Sequence, residues 1–310
     1  MEELPLYAPS GEGSHTFVRV EKRLCTTEQV ARALAAAVGV APRDVGYAGR
    51  KDRAGLARQW FSVPGLDPAA AAGLGDPGWR VLEAVRHGHK LRTGQLRGNH
   101  FDLVVRELDP AAVAAAPGRL VGLVREGMAN RFGAQRFGDG GGVVRARALL
   151  AGAAVPRDRR SARFWLSALQ AELFNAVLDA RPLPAAVLEE GDVAYVHASG
   201  ACFVVEDPVR EAPRAAAFEI SATGPLFGTR LLEPRGAPLE RERAAYAALG
   251  VPFGTALRVP RGLRLRGARR PLRVRPEHAS AEPVAGDAVR LRFELPPGSY
   301  ATELVAALFG

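Results

Sequence analysis

Apolar and polar positions alternate through "SHTFVRVEKR", residues 14–23, with the period of a half-buried strand. The period then changes. "TTEQVARALAAAVGV" repeats its apolar residues at helical spacing, with Thr26 or Thr27 as N-cap and Gly39 as terminator. "RQWFSV" and "WRVLEAVR" return to a strand pattern, and "GQLRGNHFDLVVREL" predicts a longer strand bent or bulged at Gly98 and Asn99. The first third of the chain therefore predicts a sheet with few helices.

Near Pro110 the pattern shifts. "DPAAVAAAPGRLVGLVREGMANRFG" and "SARFWLSALQAELFNAVLDARPL" are helical in period, separated by a glycine-rich "GDGGG" and a basic "PRDRRSAR". Turn-rich sequence such as "SATGPLFG" and a helix around "ERERAAYAALG" follow, up to the arginine run 258–275. In "AVRLRFELPPGS" the strand pattern resumes, Val289, Leu291 and Phe293 facing one way and Arg290, Arg292 and Glu294 the other. "SYATELVAALF" predicts a closing helix capped by Ser299. The returning strand is expected to rejoin the first sheet, which makes the helical block an insertion. No repeat of fixed period is found.

Composition narrows the class. With 310 residues, 47% hydrophobic and 24% charged, the chain is globular and long enough for two domains. Its net charge of +9 points to a polyanionic partner such as nucleic acid. Only Lys22, Lys51 and Lys90 are lysine, the other basic residues being arginine, so arginine placement says more than arginine abundance. Cys25 and Cys202 stand far apart and suggest neither a zinc knuckle nor a disulfide framework, and no ligand spacing joins His15, His87, His89, His100, His197 and His278. "MEELPLYAPSGEG" is not a secretion signal, and no apolar run is long enough to span a bilayer, so a cytoplasmic protein is expected.

The stretch "GYAGRKDRAGLARQWFSVP" sets a single acid, Asp52, among Arg50, Lys51 and Arg53. Such cations favour a charged carboxylate, and an ionised acid in a cleft can act as nucleophile or charge stabiliser. A solvated charged turn would look the same. Phe101, two residues after Asn99, shares its strand face and is either core or a platform for a base.

Further motifs accompany this one in order: "GNHFDLVVRE", "NRFGAQRFG", "SALQAELFNAVLDAR", "GPLFG" and "PPGSYATELV". The series resembles the tRNA pseudouridine synthase D family, from about Gly11 to nearly the C-terminus. The resemblance implies an α+β fold, a pseudouridine synthase core of mixed sheet interrupted by a helix-rich insertion. The expected boundaries are residues 1–125 for the first part of the core, 126–272 for the insertion and 273–310 for the closing strand and helix.

By the same resemblance, Asp52 is the nucleophile, Asn99 binds the target nucleotide and Phe101 stacks on its base. Tyr300 stands where the family has a substrate-side phenylalanine, and Lys51 is counted with the substrate-binding residues. Arg131, Gln135 and Arg136 are candidates for lining an RNA cleft, while Phe132 and Phe137 are expected to be structural. The reaction implied is isomerisation of a tRNA uridine, uridine 13, to pseudouridine. It oxidises and hydrolyses nothing, so neither metal nor cofactor is expected, and a monomer is expected. The target base must be extruded before an acid can reach it. Asp52 would attack C1′ or C6, or assist departure of uracil to a glycal. The family also has a strand bearing a Lys and a Phe, expected to lie upstream of Met1.

Two other classes compete with this reading. A non-catalytic tRNA-binding or RNA-folding protein would keep the basic surfaces, at 86–100 and 258–275, and lose catalysis with that segment. A carboxylate glycosidase would need a second acid opposite the first, and none accompanies Asp52 in its motif.

Overall fold

A computed structural model describes residues 1–138, 140–284 and 286–310. Asp139, in the glycine-rich link, lies outside the described residues. The chain forms two compact units, Met1–Pro117 with Glu277–Gly298 and Gly118–Pro276 with Ser299–Gly310.

The first unit is built on a mixed sheet. In chain order its strands are β1 (Glu2–Pro5), β2 (His15–Lys22), β3 (Gly46–Tyr47), β4 (Ala57–Pro64), β5 (Gly75–Asp76), β6 (Trp79–His87) and β7 (Leu96–Val105), completed by Glu277–Val284 and Ala288–Leu295. The late strands join at one edge: Glu277–Val284 pairs with Ala288–Leu295, which pairs with β7. The order continues β1, β4, β2, β6, β5, with β3 on β4. β1 runs parallel to β4 and antiparallel to β7. It lies in the middle of the sheet, although its four residues carry no pattern that predicts a strand.

The helix Thr27–Ala37 begins where expected. Thr26 caps it in a capping box with Gln29, and its apolar face, Val30, Ala31 and Leu34, buries against Val18, Val20, Phe61 and Val63. Phe17, Trp60, Leu91 and Leu96 form a second cluster. Gly98 meets the expected bend. The β1–β7 register shifts beside it, and a Cβ there would stand 2.6 Å from the carbonyl oxygen of Leu295, so only glycine lets the strands close.

The second unit is organised by the helix Arg159–Asp179, buried on two sides. Leu166, Leu169 and Leu173 pack with Val143, Leu149 and Tyr246 from the helices Gly141–Leu150 and Gly236–Ala248. Phe174 and Ala171 pack with Ile220, Ala222 and Leu272. These last residues belong to or adjoin a four-stranded sheet, ordered Cys202–Val204, Val193–Val196, Ile220–Leu226, Ala268–Pro271. "SATGPLFG" is thus a buried strand and not a turn. Its Gly224 takes no Cβ because the Phe174 ring would lie 2.9 Å away.

The closing helix is Ala301–Phe309, and its N-cap is Tyr300, not Ser299. The Ser299 hydroxyl donates instead to Asn130 Oδ1 at 3.1 Å, a partner the local sequence does not reveal.

Candidate active site

The segment 49–52 follows β3 and is tied down from below. The Gly49 carbonyl accepts from Gln59 Nε2 at 3.0 Å, and the Lys51 amide donates to Thr27 Oγ1 at 3.0 Å. Thr27 in turn donates to Gln59 Oε1 at 2.8 Å, joining the start of the helix to β4. Lys22, at the end of β2 and 1% exposed, points its ammonium at three carbonyls: Asp52 at 2.7 Å, Cys25 at 2.9 Å and Lys51 at 3.4 Å. An ammonium has three N–H donors and no acceptor, so carbonyls suit it. Burial pushes Lys22 below the ordinary lysine range, while the charges of Cys25, Asp52 and Glu28 oppose that shift.

Lys51 turns inward. Its Nζ lies 3.1 Å from Glu3 Oε2 and donates to Asn99 Oδ1. Glu3 and Asn99 are directly paired across β1 and β7, so the sheet register delivers both to one ammonium. Burial pushes the Glu3 carboxyl above its ordinary range, with Lys51 and the Trp60 amide, 3.2 Å from Oε1, pulling it back. Asp52 itself is exposed.

The cationic crowd expected around Asp52 therefore disperses. Arg50 pairs with Glu28 at 2.5 Å, Arg53 donates to the Leu24 carbonyl at 3.1 Å, and Lys51 goes to Glu3 and Asn99. Successive side chains of an extended turn point in different directions, so neighbours in sequence need not be neighbours in space. The cation beneath the loop is Lys22, which nothing in the "GRKDR" stretch announces.

Phe101 is half-buried and stacks on the fully buried Phe293, centroids 5.2 Å apart and planes 21° apart. It is thus partly core, with Asn99 two residues before it on the same face.

The other candidates lie in the second unit, around Phe132. Tyr300 is half-buried and meets the Phe132 ring edge-on at 6.2 Å. Burial pushes its hydroxyl up, and Arg136 and Arg270 oppose this. Arg131 is engaged by Asp179, and Gln135 is exposed. Arg136 lies 5.8 Å over the Phe132 ring, and its Nε is buried without a hydrogen-bond partner among the described residues. Phe132 is 8% exposed and Phe137 packs beside it, as expected of structural rings. Arg270 joins them without having been a candidate. It lies 4.0 Å over the Phe132 ring and donates to Asn130 Oδ1 at 2.6 Å, and burial lowers it to about 10. In sequence it is one arginine of a run.

That run divides by burial. Arg261, Arg264 and Arg266 are exposed, whereas Arg269 and Arg273 are buried in structural hydrogen bonds. The stretch 86–100 divides likewise: His87 is 6% exposed and stacks on Tyr7, while Arg92 is exposed.

Among the described residues, Glu277, His278 and Glu294 bring potential metal-ligand atoms within 4.8 Å of one another. Strand pairing of Glu277 with Glu294 assembles them, which histidine spacing alone does not disclose. No described helix is long and apolar enough to cross a membrane.

Comparison with known proteins places the whole chain in one family. The family model described as tRNA pseudouridine synthase D (TruD) matches residues 1–159 and 149–307. A tRNA pseudouridine synthase D of Geobacter metallireducens is 40% identical, over 98% of this chain and 91% of its own length. That of Anaeromyxobacter dehalogenans 2CP-1 is 42% identical, over 99% and 89%. A Methanosarcina mazei structure described as a putative tRNA pseudouridine synthase D shares the fold, with TM-score 0.71 at 20% identity over 99% of this chain and 90% of that one. With a family model and relatives matched along nearly its whole length, the chain belongs to the tRNA pseudouridine synthase D family.

Proposed function

We propose that the protein isomerises uridine 13 of tRNA to pseudouridine, with Asp52 as the acid that attacks the flipped nucleotide. The N1–C1′ bond breaks, uracil turns, C5 bonds to C1′, any bond made to Asp52 is broken again so that the carboxylate is regenerated, and the proton leaving C5 is balanced by one gained at N1. The observation that carries this reading is the loop 49–52: it is fixed through its backbone and through Lys51, yet leaves the Asp52 carboxylate exposed. A reacting group held on a rigid mount loses little entropy when it attacks.

Asn99 and Phe101 have the chemistry to receive the extruded base, an amide for its polar edge and a ring for its face. Lys51 binds Asn99 Oδ1, which leaves the amide nitrogen directed by that contact as a donor. Tyr300, Arg131, Gln135 and Arg136 are proposed as contacts of the second unit with the RNA, and the exposed arginines as phosphate contacts. The reaction needs no oxidant and no hydrolytic water, and we assign it neither cofactor nor metal. Action as a cytoplasmic monomer belongs to the same proposal, as does a catalytic core built on the first unit.

The test is to incubate purified protein with an unmodified tRNA transcript and map pseudouridine along it. Pseudouridine at position 13 alone is expected. Modification elsewhere contradicts the site, and none in any tRNA contradicts the catalytic reading.

A further inference from the structure

We propose that Lys22 is a positioning residue for the reaction, its ammonium fixing the backbone of the Asp52 loop through the carbonyls of Cys25, Lys51 and Asp52. The proposal rests on the reading of Asp52 as the reacting acid.

Three observations carry it. Lys22 is among the largest fully buried side chains, an expensive place for a cation. Its hydrogen bonds go to carbonyl oxygens and none to a carboxylate, so it serves the backbone of 51–52 and not a charge pair. Two of those carbonyls flank the Asp52 side chain directly, the one at 2.7 Å being Asp52's own.

The neighbouring ties divide the work. Thr27 and Gln59 hold Gly49 and the Lys51 amide, and Glu3 holds the Lys51 side chain. Among the described residues, only Lys22 holds the carbonyl of Asp52. Removing it frees that peptide to rotate, and the carboxylate with it, while the Lys51 anchor keeps the loop in place. Orientation is then lost before substrate affinity is.

The experiment compares Lys22→Met, which keeps length and apolar bulk without donors, with Lys22→Gln, which restores part of the donor set. Amide hydrogen exchange across 51–56, tRNA affinity and single-turnover conversion are measured for both, with Asp52→Asn alongside. For Lys22→Met we expect exchange in 51–56 at least tenfold faster and the rest of the first unit unchanged. Affinity should stay within about twofold, and single-turnover conversion should fall tenfold or more, with partial recovery in Lys22→Gln. Unchanged loop exchange, a loss confined to affinity, or global unfolding of both variants would overturn the proposal, since each makes Lys22 something other than a local support. If Asp52→Asn keeps turning over while loop exchange responds to Lys22, it is the role of Asp52 that fails.

Discussion

Lys51 Nζ lies 3.1 Å from Glu3 Oε2, the two side chains 4% and 1% exposed, so the residue preceding the candidate nucleophile is ion-paired to the first strand of the chain. Losing one partner of a buried pair leaves the other charge stranded, at about 3–5 kcal/mol. Lys51→Met should be destabilised accordingly. The loss should depend on pH. Glu3 is already raised by burial, and without Lys51 it rises further. An acid whose folded pKa exceeds its unfolded value, about 4.3, binds more protons when folded, so stability falls as pH rises through that window. Urea midpoints should therefore show a gap to wild type that is widest near pH 8 and narrower near pH 5. A gap that does not change with pH would contradict the pairing.

Much of the first unit is legible because its elements have clear periods. β2, β4, β6, β7 and the capped helix after Thr26 lie where alternation and capping put them, and Ala288–Leu295 rejoins the first sheet as expected, the structure setting it beside β7. What is not legible depends on pairing between distant residues. β1 has four residues and no signature beyond its register with Asn99 and Arg58. Its Glu3 gains meaning only when that register sets it beside Lys51. Lys22 looks like the polar end of a strand, since nothing local shows that its ammonium ends among the carbonyls of a loop 29 to 30 residues later. In the second unit, Gly224 and Pro225 read as a turn, whereas the fold needs a small residue under Phe174.

Arg269 and Glu242 make a second buried pair, 2.5 Å apart with both side chains 3% exposed, and Arg269 also binds Thr223. Arg269→Met should cost about 3–5 kcal/mol. Adding Glu242→Leu removes the stranded acid and should recover most of that loss. Chemical denaturation of the two single variants and the double variant checks this, and simply additive losses would contradict the coupling.

The arginine run makes a sharper electrostatic prediction once its buried members are set aside. Replacing Arg261, Arg264 and Arg266 together by alanine should weaken tRNA binding at low salt. The slope of log K against log salt should become shallower by about 0.7 to 0.9 for each phosphate no longer neutralised, with melting temperature nearly unchanged. Unaltered affinity and slope would remove this surface from the RNA interface.

Asp52→Asn tests the central claim most directly. The amide keeps the shape of the side chain, and the backbone hydrogen bonds that hold the loop do not involve the carboxylate. Binding should therefore persist while nucleophilic attack is lost. The measurement is single-turnover conversion of an unmodified tRNA transcript by variant and wild type, with tRNA affinity measured on the same preparations. The account predicts no detectable pseudouridine from Asp52→Asn at an affinity within about twofold of wild type. Turnover by the variant at a rate near that of wild type would contradict it.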